Sequence, residues 1–596
     1  MKRPVSTFWA GIAAATALSL GLRAVDLDRE SLWLDELWTV RSATQAGWAE
    51  LIRDVAADVH PPLYFALVRL CCAVLGTGEE AVRLPSVLAG VATVPLVGLL
   101  GRVLWGPAAG VAGAALLAAM PFAVTMSREA RGNTLLAALS VAAILAASSS
   151  LGASRRTRLP RLSLLAVLAA ALLYTHVWGA FVVLALGIWM TLEAFDGVRA
   201  WSDAKDGAGA LVAGCFAFFP WVATLGAQIQ TFSAHPWYAP PPPDTLGYLV
   251  GGLLGNASGL AALIGIALAA LLARSGEDRR GLLLLASAFT ALIAVPQLIS
   301  ALIAPIALPR NALPMLPLLC AAAGAGLVGA GRTAGSALAA VGVALLAVHA
   351  GQETFGRPRT DQWREASAVV RAEAQPSDLV LAPHPNLWRY YLPDSNLVWT
   401  PLIPEDTDAA GVLDWVSRTQ PGSIRVWVLD ANHSGAWAAT WDAFAATSQV
   451  LARHELAGAR VLLLDLSVRP VDLATFTLPV TSMGDDGLLH FWWNATVVSA
   501  PIQITGRCAV GVHGWAEGGP VGVDAQLALQ VLLPNGDART SVVHLGVTAG
   551  IAEGEPTALE GAVRISIAFT NDATGKDAAG AYDLNAHVDG VYVRCE

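Results

Sequence analysis

Charge is what this chain has least of. Asp, Glu, Lys and Arg make up 14% of its 596 residues, where a soluble globular chain carries roughly 25%. The shortage is uneven. Up to about residue 350 the sequence is runs of Ala, Leu, Val and Gly broken by short charged loops. Beyond it, charged and polar residues recur every few positions. That distribution excludes a single soluble globule. It implies a large membrane domain followed by soluble protein with room for one or two domains. Positive charge is scarce too: the net charge of -9 excludes the basic face that nucleic acid binding needs. Cysteine is limited to six residues. Cys71, Cys72, Cys215 and Cys320 lie in apolar segments and read as small hydrophobes. Cys508 and Cys595 lie in the soluble region without zinc spacing, and form one disulfide if that region faces an oxidising compartment.

A helical span needs about 20 apolar residues, and Lys and Arg collect on the cytoplasmic side. Candidate spans are 8–25, 84–101, 108–126, 133–151, 162–176, 178–195, 208–226, 246–272, 281–300, 311–330 and 334–349, about eleven. With Met1-Lys-Arg3 read as the start of an uncleaved first span and placed in the cytoplasm, Arg102, the cluster Arg155 to Arg161, Arg199, Lys205, Arg274, Arg279, Arg280 and Arg332 fall on the same side. The loops at 227–245 and near 177 hold no Lys or Arg. The soluble region is then extracytoplasmic. The apolar stretch His60 to Leu75 breaks this parity if counted as a span. It is therefore read as a juxtamembrane or re-entrant helix started by its tandem prolines.

In this topology several ionisable groups converge on the outer side: Asp35 and Glu36 in Ser31-Leu-Trp-Leu-Asp-Glu-Leu-Trp-Thr39, then His60, Arg83, Arg128, Glu129, Arg131, His176 and Arg310. Charged groups at membrane depth are costly and mark functional sites. Bland roles compete with that reading. Arg83 and Arg310 at span starts suit snorkelling arginines. His176 beside Trp178 suits an aromatic belt, and Arg128-Glu-Ala-Arg131 suits a salt-bridged helix cap.

The order of motifs carries more than any one of them. An acidic pair follows the first span, then come His60-Pro-Pro-Leu-Tyr64, Arg83-Leu-Pro-Ser86, Ser127-Arg-Glu-Ala-Arg131, Tyr174-Thr-His-Val-Trp178 and Arg310-Asn-Ala-Leu-Pro-Met-Leu-Pro317. This resembles the C-type integral-membrane glycosyltransferases, in the branch related to protein O-mannosyltransferases and the lipid A aminoarabinose transferase, over residues 8 to 400. The resemblance implies a polyprenyl-phosphate-linked sugar as donor, held in a lipid groove, and an acceptor at the outer face that is a protein, a glycolipid or a cell-wall polymer. It implies a direct displacement inverting the anomeric centre, in a bacterial-type inner membrane. Asp35 corresponds to the family's base, and Glu36 orients the acceptor or supports Asp35. Arg128, Arg131 and Arg310 would stabilise the phosphate leaving group, and His60 sits where relatives contact phosphate. Some relatives carry an Asp where this chain has Asn133, with Glu129 one turn earlier. A divalent cation is thus left open, held by Glu129 and Asp35 if present.

The soluble region divides by pattern. After the membrane domain at 1–351, residues 352–468 alternate strands (378–382, 396–400, 423–429, 460–465) with helical stretches (409–419, 435–447), which implies an α/β sandwich with a largely parallel sheet. No Gly-rich phosphate loop follows its first strand, which argues against nucleotide binding. Residues 469–596 alternate with period two between Gly, Pro, Asn and Asp turns and read as a jelly-roll-like β-sandwich. Its last strand would be stapled to an earlier one by Cys508 and Cys595. Trp492, Trp493 and Trp515 suit core packing better than a carbohydrate-binding face. Two rival functions remain: a transporter or flippase, which needs broken helices at a midplane site, and a non-catalytic envelope protein that binds carbohydrate through its β-domain.

Overall fold

The computed structural model describes residues 4–596 except 197, 235–244, 255–278, 330, 357–361, 377, 383, 394–396, 400–411, 413–415, 417–424, 432–434, 447, 467, 472–488, 492–495, 518–522, 549, 571–573, 578, 579 and 596. The four consecutive prolines at 240–243, and Trp492 and Trp493, lie outside the described residues. The chain forms two compact units, Met1–Thr360 and Asp361–Glu596.

The first unit is helical: α1 Pro4–Ala24, α2 Leu34–Ala43, α3 Trp48–Ala57, α4 Leu63–Leu75, α5 Glu79–Trp105, α6 Pro107–Ala119, α7 Pro121–Ser127, α8 Asn133–Ser150, α9 Arg155–Thr175, α10 Gly179–Glu193, α11 Val198–Ala217, α12 Val222–Ala234, α13 Thr245–Leu254, α14 Arg279–Phe289, α15 Val295–Leu302, α16 Met315–Gly329 and α17 Arg332–Phe355. Among the described residues, five helices are long and apolar enough to cross a membrane, or seven if each bent pair counts as one span. α4 starts directly after Pro62 and has 13 residues. At 1.5 Å per residue it reaches only about 20 Å, short of the ~30 Å hydrocarbon core.

Successive long helices run up and down, so the unit has two ends. At one, Arg158 pairs with Asp203 and Asp206, both at 2.8 Å, and Arg280 with Glu193 at 3.0 Å. Small residues let the helices close up. A Cβ on Gly110 would lie 2.2 Å from the Gly98 carbonyl, and one on Gly324 would lie 2.5 Å from the Gly113 nitrogen.

A buried arginine explains the 61° bend between α6 and α7. Pro121 has no N–H, so the Leu117 carbonyl loses its i+4 donor and keeps only the tighter-turn bond from the Met120 N–H at 3.3 Å. Arg23, 1% exposed, adds donors at the break: Nη2 donates to Leu117 O (3.3 Å), Nη1 to Ala118 O (2.8 Å) and Nε to Ser127 Oγ (3.1 Å). Unpaired carbonyls in a membrane interior cost several kcal/mol each. Arg23→Met is therefore expected to lower stability by about 2–5 kcal/mol, read as a drop in melting temperature in detergent. Unchanged melting would show that other groups cap the bend.

In the second unit a five-stranded sheet holds β1 Leu379–Leu381, β2 Val398–Trp399, β3 Arg425–Ala431, β4 Gln449–Leu456 and β5 Ala459–Asp465 in the order β2-β1-β3-β5-β4. β1 runs parallel to β2 and β3, but β5 runs antiparallel to both β3 and β4. The sheet is mixed rather than largely parallel. β4 and β5 are joined only by Ala457 and Gly458, with Gly458 at φ +65°, and so short a link permits only a hairpin. Leu379, Leu381, Val426, Val428, Leu462 and Leu464 share a core with Trp441 and Phe444 of α19 (Gly435–Ala446). α18 (Trp363–Glu373) packs against β3 and β5. On the core-opposite face of β3, the buried Trp427 donates to Asp378 Oδ2 at 2.9 Å.

The remaining strands are β6 Val468–Val471, β7 Leu489–Phe491, β8 Thr496–Val498, β9 Ile502–Glu517, β10 Ala525–Leu532, β11 Ala538–Leu545, β12 Gly550–Glu553, β13 Thr557–Phe569, β14 Thr574–Asp577, β15 Gly580–Asp583 and β16 Asn585–Cys595. β14 and β15 pair with each other, and the other nine strands form one antiparallel sheet with the main path β11-β10-β13-β9-β16-β6. β13 pairs with β9 up to Val563 and with β10 from Arg564. It thus passes from one ladder to another, as strands do at the corners of two-layered sheets. Alternate residues of β9, β10, β13 and β16 fill one core. Cys508 and Cys595 face each other across β9 and β16 and are disulfide-bonded. Trp515 is not in that core. It lies on the other face of β9, half-buried and stacked on His587 with centroids 5.2 Å apart.

Candidate active site

The site begins where α1 ends. The turn after it leads to Trp33, whose N–H donates to Glu36 Oε2 at 3.3 Å and so starts α2. Adjacent helical residues point about 100° apart, and this separates the acid pair. Glu36 is wholly buried. Its carboxylate receives Arg83 Nε at 2.8 Å, Arg83 Nη2 at 2.7 Å and the Ala130 N–H at 2.7 Å. Arg83, also buried, donates further to the carbonyls of Leu27, Glu30 and Ser31 at 2.7–3.0 Å. Arg83 is therefore no snorkelling interface arginine. The pair is a clamp that joins the start of α5, the turn before α2 and the turn between α7 and α8.

Asp35 points the other way. Its Oδ2 accepts Arg310 Nη1 at 2.8 Å and lies 3.7 Å from Arg131 Nη2. Burial pushes the Asp35 carboxyl up, but Arg131 and Arg310 outweigh it and hold it below the ordinary carboxylate value. Arg131 also reaches the Asp35 carbonyl at 3.3 Å and His60 Nε2 at 3.2 Å. Since a guanidinium only donates, His60 accepts at Nε2 and its Nδ1–H faces Asp58 Oδ2 at 3.3 Å. Burial favours the neutral acid at Asp58, yet the hydrogen bond from His60 and the charge of Arg131 hold it down to about 2. Asn133, the first residue of α8, donates to the Arg310 carbonyl at 2.9 Å and so positions that arginine.

Arg131, Arg310, His60 and Asn133 line a cavity of about 290 Å³, and Asp35 stands behind its two arginines rather than in the cavity wall. Its polar residues are His60, Arg131, Asn133, His176, Gln228, Arg310 and Asn311. Its apolar walls include Trp178, Phe181, Leu225, Ile229, Ile299 and Ile303. A cationic mouth over an apolar groove is the shape and chemistry of a site for an anionic headgroup on a lipid chain.

Residues 59–231 match the family model described as dolichyl-phosphate-mannose-protein mannosyltransferase. No curated protein matches the sequence significantly. Among solved structures, ArnT from Cupriavidus metallidurans in the apo state matches at 16% identity and TM-score 0.54, over 77% of this chain and 98% of that one. The same protein bound to undecaprenyl phosphate matches at 16% identity and TM-score 0.53, over 76% and 97%. The Archaeoglobus fulgidus oligosaccharyltransferase in complex with Zn and sulfate matches at 10% identity and TM-score 0.50, over 98% of each chain. The chain has the C-type membrane glycosyltransferase fold.

Within that fold the motifs prove to be physically joined. Tyr64 of His-Pro-Pro-Leu-Tyr hydrogen-bonds Ser86 of Arg-Leu-Pro-Ser at 2.7 Å, and Ser86 Oγ donates to the Arg131 carbonyl at 2.9 Å. Asp35, His60, Arg131, His176 and Arg310 come together. Arg128 does not join them: its Nη atoms donate to the carbonyls of Arg23, Val25 and Asp26 at 2.6–3.2 Å, capping the end of α1. Sequence reasoning missed Asp58, two residues before His60, and Gln228, which donates to the carbonyls of Val55 (3.1 Å) and His60 (3.5 Å). The Asp-Val-His spacing was the available signal for the first; an isolated Gln in an apolar helix gave none.

Burial, with Glu36 and Asp35 adding repulsion, pushes Glu129 up to about 8, against the pull of Arg310 and Arg131. With its Oδ2 already paired to Arg310 and Arg131, Asp35 is a poor ligand for a divalent cation. Among the described residues no group of three or more His, Cys, Asp or Glu could hold a metal ion. The raised value also sets a pH dependence. The fold favours the neutral acid, so this contribution to stability is full below the ordinary 4.5 and is lost as pH rises through about 8. Glu129→Gln is expected to flatten the fall in melting temperature between pH 5 and pH 9; parallel curves for variant and wild type would refute it.

Proposed function

We propose that the protein transfers a sugar from a polyprenyl-phosphate-linked donor to an acceptor at the outer face of a bacterial-type inner membrane, inverting the anomeric centre. The observation that carries this reading is the cavity itself, with two arginines and His60 at the mouth of an apolar groove and a carboxylate paired to both arginines. The acceptor hydroxyl attacks C1 as the C1–O bond to phosphate breaks. The hydroxyl proton passes to Asp35, and the phosphate keeps the bonding electrons, its charge met by Arg131 and Arg310. Glu36 holds Asp35 in place through its clamp rather than touching the acceptor. The undecaprenyl phosphate bound by the ArnT structure is a ligand of the kind this cavity suits.

The about eleven spans, the cytoplasmic N-terminus and the division at 351 and 468 belong to the same proposal. The basic end of the helical unit, by the bias of Lys and Arg, supports placing the site outside, and the Cys508–Cys595 disulfide suits an oxidising compartment there. The experiment is reconstitution of the full chain with a panel of undecaprenyl-phosphate sugars and envelope acceptors. Release of undecaprenyl phosphate with sugar transferred is expected. If no donor is consumed and undecaprenyl phosphate does not bind, the reading fails.

A further inference from the structure

His176 stands at the junction of α9 and α10 with extended backbone angles, φ -159° and ψ 144°. The break turns its side chain onto the start of the next helix, where Nδ1 accepts the backbone N–H of Trp178 at 3.0 Å. An imidazole nitrogen that accepts a hydrogen bond carries no proton, so the neutral ring has its hydrogen on Nε2. The ring packs edge-on against His60, with centroids 5.3 Å apart and planes at 69°. It lines the cavity beside Arg131 and Arg310. Its Nε2 has no hydrogen-bond partner among the described residues.

We propose that His176 is a neutral hydrogen-bond donor, through Nε2–H, to a phosphate oxygen of the lipid-linked sugar donor. The inference rests on the reading of the cavity given above. The groups facing the ring are His60 from the turn before α4, Arg131 from the turn before α8, Arg310 from the turn before α16, and the uncharged Gln228 of α12 and Asn311. The ring is buried beside two guanidiniums, a setting that disfavours its charged form. A further cation beside two guanidiniums would raise repulsion while the site is empty. A neutral N–H donor avoids that and still strengthens as negative charge gathers on the phosphate oxygens during C1–O cleavage.

Two substitutions separate this role from helix capping. The Asn side chain places its oxygen near the imidazole Nδ1, so His176→Asn keeps an acceptor for Trp178 and loses the cavity donor. The Gln amide reaches the Nε2 position, so His176→Gln keeps a donor. In the full chain in nanodiscs, with an undecaprenyl-phosphate sugar turned over by the wild type, His176→Asn is expected to melt normally. Its kcat should fall by about 10²-fold, and undecaprenyl phosphate should bind about tenfold more weakly. His176→Gln should stay within about fivefold of wild type. An Asn variant with full rate and full affinity overturns the proposal and leaves the function standing. Equal losses of rate and melting temperature in both variants assign His176 to folding alone. A wild type that neither transfers sugar nor binds undecaprenyl phosphate removes the cavity reading and this proposal with it.

Discussion

Asp35→Asn is expected to lower sugar transfer by about 10³-fold or more while leaving donor binding intact or tighter. Removal of a general base costs about 10²–10⁴ in rate. Asp35 is held ionised by Arg131 and Arg310 in spite of its burial, so under the proposed mechanism it already stands in the proton-accepting form at neutral pH. Because the two guanidiniums hold it below the ordinary carboxylate value, the acid limb that Asp35 imposes on kcat/KM should lie below that of an unperturbed aspartate. Asparagine keeps the size and the Oδ1 acceptor but removes the charge, which leaves both guanidiniums without their carboxylate. They then meet the phosphodiester of the donor, or the undecaprenyl phosphate used as its probe, with less competition. Initial rates and undecaprenyl phosphate titrations on wild type and variant separate the two effects. Equal rates would remove Asp35 from the role of base; loss of donor binding would make it a binding group instead.

Breaking the clamp is expected to be the most damaging structural change. Glu36→Leu or Arg83→Met leaves a buried, uncompensated charge, which costs about 3–5 kcal/mol. Arg83→Met should be the worse of the two, because it also strips the donors from the carbonyls of Leu27, Glu30 and Ser31. The double variant should be less damaged than the sum of the singles, since no lone charge remains, and the excess measures the coupling. Thermal melting of the four proteins in one detergent decides it. Strict additivity would mean that the two side chains act separately, which their paired hydrogen bonds contradict.

The contrast between neighbours shows what was legible in the sequence. That residues 35, 36, 60, 83, 131, 176 and 310 gather at one end of a helical bundle followed from counting spans and basic loops. Which of them face the cavity did not. Asp35 and Glu36 have the same chemistry and adjacent positions, and only the start of α2 at Trp33 fixes which carboxylate turns inward. Arg128 and Arg131 lie three residues apart in one motif, yet Arg128 caps α1 because that helix ends within its reach. The mixed sheet in residues 379–465 was misread for a local reason. Gln449 to Leu456 sets the polar run Arg-His-Glu after the apolar Val-Leu-Ala on a half-exposed edge strand, a mix with neither a continuous apolar run nor a period of two. Arg23 was hidden at the end of an apolar span, where its partners, the carbonyls beside Pro121, are 94 and 95 residues away.

The Asp35–Arg310 pair links positions 275 residues apart. During biogenesis, with helices delivered to the bilayer in chain order, the carboxylate reaches the interface long before its cation has been synthesised. Arg131 can balance it first, and Arg310 joins only when α16 docks. The pocket therefore acquires its final charge balance late in assembly, so a partly inserted chain that has displayed α1 to α8 holds the acid but not the complete anion site.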